Sequence, residues 1–186
     1  MRVAVVVLVV GVALFVLDRT FLLNPLAADG SSSMAPTLPA CDGRWLAEGF
    51  TYRFRDPQRG DIVVFHAVGR LGGTVAPDPS ARDLALAKRV VGVPGDQVVG
   101  RGGRVYVNGF KSDDITTANF PRVDLGGDEY FVLGDNRSFS QDSRDFGAVR
   151  RNAIFGRVFL VFWPLGDSGA PESRHAGTPP GAGLCD

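Results

Sequence analysis

The chain has 186 residues, 45% of them apolar and 22% charged, with a formal net charge of zero. That length fits one domain with a sizeable core. The composition excludes a disordered chain, and the balanced charge leaves no basic surface to argue for nucleic acid.

Val3 to Leu17 carries no charge and follows Arg2. It falls slightly short of the roughly 20 helical residues that a hydrocarbon core of about 30 Å needs. Phe21, Leu22 and Leu23 extend it past Asp18 and Arg19, whose side chains can snorkel to the interface. A retained membrane anchor over residues 1–23, N-terminus inside, is expected. The rival is a cleaved secretory signal ending at Leu26-Ala27-Ala28, and both readings export the rest of the chain. Asn24-Pro25 and Asp29-Gly30 read as turns.

Hydroxyls then cluster in Ser31-Ser32-Ser33-Met34-Ala35-Pro36-Thr37-Leu38. A serine becomes a nucleophile only with a base in reach and donors for the oxyanion. Three residues after Ser33 stands Pro36, which excludes an S-x-x-K arrangement, and the flanks form no G-x-S-x-G elbow. A base must come from farther along; the plainer reading is a serine-rich linker.

Trp45-Leu46-Ala47 reads as a short strand, and Phe50 to Phe54 alternates as another. Arg59-Gly60-Asp61 turns into the β-branched run Ile62-Val63-Val64-Phe65, a buried strand. His66 to Asp83 reads as loop. Leu84 to Val93 is a strand closed by Pro94-Gly95-Asp96, with Lys88 inside it. The chain has two lysines, Lys88 and Lys111, among twenty basic residues. An arginine keeps its proton near neutral pH, whereas a buried lysine can lose it, so these two are the candidate amine bases. Strand alternation puts Lys88 on the face of Leu84 and Leu86, and Arg89 with Ala85 and Ala87. A lysine among leucines is desolvated, which lowers its pKa.

Gln97-Val98-Val99 and Arg104 to Val107 flank a glycine-rich turn, and Asn108-Gly109 signals a type I′ turn before Phe110. Asp113 to Pro121 reads as loop. Glu129 to Leu133 is a strand that delivers Gly134 to Gly147, dense in charge and hydroxyl, a placement typical of functional loops. Ile154 to Trp163 is the final strand, ended by Pro164. The Gly-, Pro- and Ser-rich residues 167–186 read as a disordered tail. At its start Gly166-Asp167-Ser168-Gly169 mimics a chymotrypsin-type motif, but neither His66 nor His175 stands in a context to serve it. Cys41 and Cys185 form no C-x-x-C pair and leave a disulfide open. Two unpaired histidines support no metal site.

Four of these segments together resemble the boxes of type I signal peptidases (leader peptidases), membrane-anchored Ser/Lys proteases of family S26. Ser31 to Leu38 is similar to S-x-S-M-x-P-T-L, and Arg59 to Phe65 to R-G-D-I-V-V-F. Lys88-Arg89-Val90-Val91-Gly92-Val93-Pro94-Gly95-Asp96 is similar to K-R-V-x-G-x-P-G-D. Gly134-Asp135-Asn136 through Ser140, Asp142, Ser143 and Arg144 is similar to G-D-N-x-x-x-S-x-D-S-R. The resemblance implies a mainly β fold, an antiparallel-sheet Ser/Lys protease domain over residues 24–166 behind one N-terminal transmembrane helix.

It further implies Ser33 as nucleophile and Lys88 as general base, with Ser31 in the oxyanion hole. Ser140 would orient the lysine amine, and Asp142 with Arg144 would brace the loop. The base would need its pKa lowered from about 10.4 to about 7–8. Substrates would be exported preproteins cut after an Ala-x-Ala-like site bound as an extended strand, with apolar walls sought in Met34, Leu84 and Leu86. No cofactor or metal is implied, and the partners are preproteins and membrane lipid. The implied location is the bacterial plasma membrane, single-pass, with the catalytic domain on the extracytoplasmic side. The chain departs from the family at Asp29-Gly30, where an apolar residue and proline usually stand, and at Ala40 to Gly43. The rivals are a LexA-like Ser/Lys autoprotease, which lacks an anchor, and a non-catalytic anchored relative, which would lack the dyad.

Overall fold

The computed structural model describes residues 5–11, 23–27, 32–39, 44–67 and 85–163. Residues 5–11 are helical and solvent-exposed. Among the described residues no helix is long and apolar enough to cross a membrane. Residues 1–4 and 12–22 of the expected anchor, the tail from residue 167, Leu84, and both cysteines lie outside the described residues, while Leu23 opens the first strand.

The described residues form the strands β1 Leu23–Ala27, β2 Arg44–Glu48, β3 Ile62–His66, β4 Ala85–Gly92, β5 Gln97–Arg101, β6 Arg104–Val107, β7 Phe110–Lys111, β8 Phe120–Asp124, β9 Glu129–Leu133, β10 Val149–Arg150 and β11 Ile154–Trp163. They make a seven-stranded sheet, β1-β2-β11-β3-β4-β9-β10, and a four-stranded sheet, β7-β6-β5-β8. Neighbours pair antiparallel throughout. The mainly β expectation therefore holds.

Alternation along β3 and β4 separates two apolar clusters on the large sheet. Val63, Phe65, Val90, Tyr130 and Val132 lie together, with Leu86 packed against them. Ile62 and Val64 join Met34, Leu38, Trp45, Ala47, Val158 and Val161, with Ala85 and Ala87 alongside. This explains the unbroken apolar run of β3, which is covered on both sides. A third cluster seams the two sheets, Val98, Val105 and Val107 meeting Val91, Phe131 and Leu133.

Three local readings are corrected. Phe50 to Phe54 is a turn around the 3-10 helix Thr51–Arg53, because the Glu48 carboxylate takes the Thr51 N–H at 2.8 Å and bends the chain. Asn24-Pro25 lies within β1, an edge strand, where a proline's missing donor costs no ladder bond. The loop expected over Asp113 to Pro121 gives way to β8 at Phe120, another edge strand. Phe120 stacks on Phe131 and presses over Gly100, where no side chain would fit. The short strand β10, too brief to carry a pattern of its own, pairs with Tyr130 and Glu129. The Asn108-Gly109 turn has positive φ at both residues, as a type I′ turn requires.

Candidate active site

Lys88 sits mid-β4, opposite Val63 of β3, and is 3% exposed. Its Nζ donates a 2.7 Å hydrogen bond to Ser33 Oγ, itself on a residue only 7% exposed. The two residues are 55 apart in sequence. Strand β9 pairs with β4 only from Arg89 onward, through Arg89↔Leu133 and Val90↔Val132. Among the described residues, Ala85 to Lys88 therefore have a strand partner on the β3 side alone. The Ser32–Pro39 loop straddles this edge. Ser33 reaches Lys88 on one side, while Met34 and Leu38 bury into the cluster beside Ala85 and Ala87.

Polar groups lock that loop. Arg89 grips Asp135 with two bonds, 2.8 and 2.7 Å, and donates to the Gly60 carbonyl at 2.8 Å. Asp135 in turn accepts from Thr37 Oγ1 at 2.5 Å. The Asn136 N–H donates to the Ser33 carbonyl at 3.0 Å and its side-chain amide to the Ser32 carbonyl at 3.2 Å. The β9 exit is thus pinned to the Ser32–Pro39 loop through both its backbone and its side chains.

Beneath lies Gly134. A Cβ there would meet Ser140 Oγ at 2.2 Å and the Ser33 carbonyl at 2.5 Å, so glycine is required by close approach. Its N–H donates to Asp142 at 3.0 Å. Asp142 is fully buried, pairs with Arg144 at 2.7 Å and caps the helical turn Ser143–Phe146, with Asp145 closing a capping box.

Of the residues singled out by sequence, Ser33, Lys88, Ser140, Asp142 and Arg144 converge here. Ser31 lies outside the described residues. Ser140 Oγ is buried and makes no hydrogen bond, so a contact to the lysine amine is not formed. Met34 and Leu86 do not share a wall: Leu86 packs with Phe65 and Val90, Met34 with Ala85 and Ala87. Sequence reasoning gives no role to Thr37, Arg89, Gly134, Asp135 or Asn136. All five stand inside the four family-like segments, which is the available signal.

A groove lined by Asp56, Gln58, Arg59, Pro94 and Tyr130 opens at the far end of β4. At about 3.3 Å per residue it starts roughly 16 Å from Lys88 and does not serve it. Among the described residues no cluster of His, Cys, Asp or Glu could hold a metal ion.

Residues 1–163 match the family model described as signal peptidase, peptidase S26. The chain is similar to a probable signal peptidase I-2 of Synechocystis sp. (strain PCC 6803), at 40% identity over 88% of this chain and 71% of that protein. It is similar to a signal peptidase I of Leptolyngbya laminosa, at 39% identity over 90% of this chain and 81% of that one. A solved signal peptidase I from Enterococcus faecalis V583 aligns at 28% identity with a TM-score of 0.43, covering 55% of this chain and 97% of its own.

Proposed function

This chain belongs to the signal peptidase family, peptidase S26, and from that premise we propose that Ser33 is its nucleophile and Lys88 its general base. It is a serine endopeptidase that removes signal peptides from exported preproteins. The observation that carries the assignment is the 2.7 Å bond between two buried groups that could otherwise have no reason to meet.

In the proposed mechanism a neutral Lys88 amine accepts the Ser33 hydroxyl proton as Oγ attacks the scissile carbonyl. The tetrahedral oxyanion is held by the Ser33 N–H and the Ser31 hydroxyl. Its collapse gives the acyl-enzyme, and Lys88 returns the proton to the leaving amine. Lys88 then takes a proton from the attacking water and passes it to Ser33 Oγ as the acyl bond breaks and the signal peptide leaves. A lysine has one reactive nitrogen and no tautomer to select, so it needs no aspartate partner (contrast histidine). Asp142 and Arg144 brace the loop, and Ser140, whose buried hydroxyl has no hydrogen-bond partner among the described residues, would turn to orient the amine.

The extended run Ala85 to Lys88, paired with β3 and preceding the β9 register, supports a substrate bound as an extended strand along β4, with an Ala-x-Ala-like site at the cut. The exposed apolar side chains of Val5 to Val10 support residues 1–23 as a single-pass anchor in the bacterial plasma membrane, contacting lipid, with residues 24–166 as the protease domain outside the cytoplasm. The mechanism uses no cofactor or metal. Incubating the detergent-solubilised chain with a preprotein, with and without Ser33→Ala, tests the assignment: a single cut is expected, and only with Ser33 intact.

A further inference from the structure

We propose that Asp113, in the small sheet's link between β7 and β8, is a positioning residue for the active-site loop, acting through Arg137 on Gly134. The proposal rests on the Ser33/Lys88 reading. Arg137 follows the β9 exit, and its side chain is 2% exposed. Its Nε donates to the Gly134 carbonyl at 2.8 Å, and its Nη2 to Asp113 at 2.7 Å. Among the described residues Asp113 is the one carboxylate paired with this guanidinium, whose Nη1 is buried without a partner. Asp113 is itself fixed, accepting the Ile115 N–H at 2.9 Å.

The consequence runs through Gly134. A Cβ added there would come within 2.5 Å of the Ser33 carbonyl, so the Gly134 backbone lies directly against the backbone of Ser33. A shift of the Gly134 peptide toward Ser33 is therefore passed on to it. The Arg137 guanidinium holds that peptide by its carbonyl, and Asp113 holds the guanidinium. With Asp113 gone, a buried cation loses its counter-charge and must rotate to find another acceptor. The same link makes a second tie, Thr117 Oγ1 accepting from Arg144 Nη1 at 3.2 Å, and Arg144 also donates to the Arg137 carbonyl at 2.7 Å. The small sheet thus acts as a fixed mount for the loop that aligns Ser33. Neighbouring Asp114 is different: it is exposed and, among the described residues, its ion pair is with Lys111 on the surface.

The test uses the full chain in detergent with a preprotein substrate, comparing Asp113→Asn, Asp113→Ala, Arg137→Met, the Asp113→Asn/Arg137→Met double variant and Asp114→Asn. The turnover number is expressed per folded molecule, with folding followed by thermal melt. Misplacing reacting groups by a fraction of an ångström is expected to lower kcat roughly tenfold in both Asp113 variants, with KM within about twofold. The double variant should be no slower than Arg137→Met alone, and Asp114→Asn should match wild type. Asp113 variants with wild-type kcat per folded molecule, whatever their melting temperature, overturn the proposal. So do additive losses in the double variant, because Asp113 would then not act through Arg137. If Asp113→Ala does not fold, Asp113→Asn, which keeps the acceptor oxygen and the volume, carries the comparison. Failure of the Ser33/Lys88 reading shows separately, as cleavage that survives Ser33→Ala.

Discussion

Lys88 and Arg89 leave opposite faces of one strand, yet both hold the same short loop. Lys88 bonds Ser33 directly, and Arg89 reaches Thr37 both through Asp135 and by a 3.4 Å contact of its own. One strand therefore supplies the proposed base and the clamp on the loop that carries the proposed nucleophile. Positioning of this kind contributes to rate because reacting groups start near their attack geometry.

Replacing either half of the pair should end cleavage. Ser33→Ala and Lys88→Ala are expected to show no cut of a preprotein on a gel, while Lys111→Ala, altering only an exposed surface pair, should cut normally. Lys88→Arg should be as inactive as Lys88→Ala, since a guanidinium stays protonated and cannot act as a base. Substantial cleavage by Lys88→Ala would sink the assignment.

Gly134→Ala should give a folded protein with little activity. Its methyl would sit 2.5 Å from the Ser33 carbonyl, a backbone atom that cannot rotate away as a side chain can. We expect kcat to fall by about 100-fold and the far-UV CD spectrum to be retained. Adding Ser140→Ala should not restore it, because the clash with Ser33 remains. Recovery in the double variant would show that the hydroxyl of Ser140, and not the Ser33 backbone, sets the limit.

Thr37→Val keeps the shape of the clamp and removes its inner hydrogen bond. Asp135 would retain both bonds from Arg89, but the lost bond is to a buried charged group, so the loss should be about 1.5–3 kcal/mol in urea unfolding. A fall in kcat larger than that stability change would place the bond in nucleophile alignment. A fall in stability alone would limit it to holding the loop.

Much of this architecture is legible in the amino-acid sequence. The apolar runs of β3, β4, β9 and β11 and the Asn108-Gly109 turn stand out because each carries a local signal, burial on both faces or a left-handed turn. The lysine count makes Lys88 one of two candidate bases, but its pairing with Ser33 is what the resemblance to type I signal peptidases implies. The strands β1, β8 and β10 escape such a reading because edge strands need little apolar patterning, and two of them carry proline. The clamp escapes it for a different reason. Thr37 and Asp135 are 98 residues apart, and no spacing or periodicity encodes a contact at that separation. Asp61 is legible as part of a turn, but not as the acceptor of bonds from Tyr52, Arg55 and the Gln58 N–H together.

That last network sets an acid limit on stability. Burial pushes the Asp61 carboxyl up, but the bonds from Arg55 and the Gln58 N–H outweigh it and hold it below the ordinary carboxylate range. Asp96 follows the same pattern, burial opposed by Arg59, the Val93 N–H and Asn108. A carboxyl that holds its proton less tightly when folded adds stability that is fully present above its unfolded value of about 3.9. That stability is lost as pH falls through the folded value. Urea midpoints should hold between about pH 7 and 5 and drop below about pH 4. Asp61→Asn should be less stable than wild type at neutral pH, with a gap that closes in acid. A gap unchanged down to about pH 2 would mean that the charge of Asp61 contributes nothing.

Specificity should follow from the edge of β4. A substrate strand paired along Ala85 to Lys88 would turn alternate side chains to opposite faces, so the first and third residues before the cut point the same way and the second points away. On one face stand Ala85 and Ala87 with Met34, on the other Leu86 and Lys88. On the proposal that substrate pairs there, the small pair beside Met34 would receive the side chains of the first and third positions, since Leu86 on the other face is packed into the core. Two methyl-sized strand residues against a thioether would favour Ala there and disfavour a ring. A preprotein series is therefore expected to lose cleavage with Phe at the first or third position and to tolerate bulk at the second. Ala87→Leu, which adds bulk on the face opposite the Lys88 side chain, should raise KM for the Ala substrate and slow it relative to one with Gly at the first position. If Phe at the first position is cut as fast as Ala, or if Ala87→Leu leaves the Ala-to-Gly preference unchanged, these side chains are received elsewhere, even with the serine and lysine roles intact.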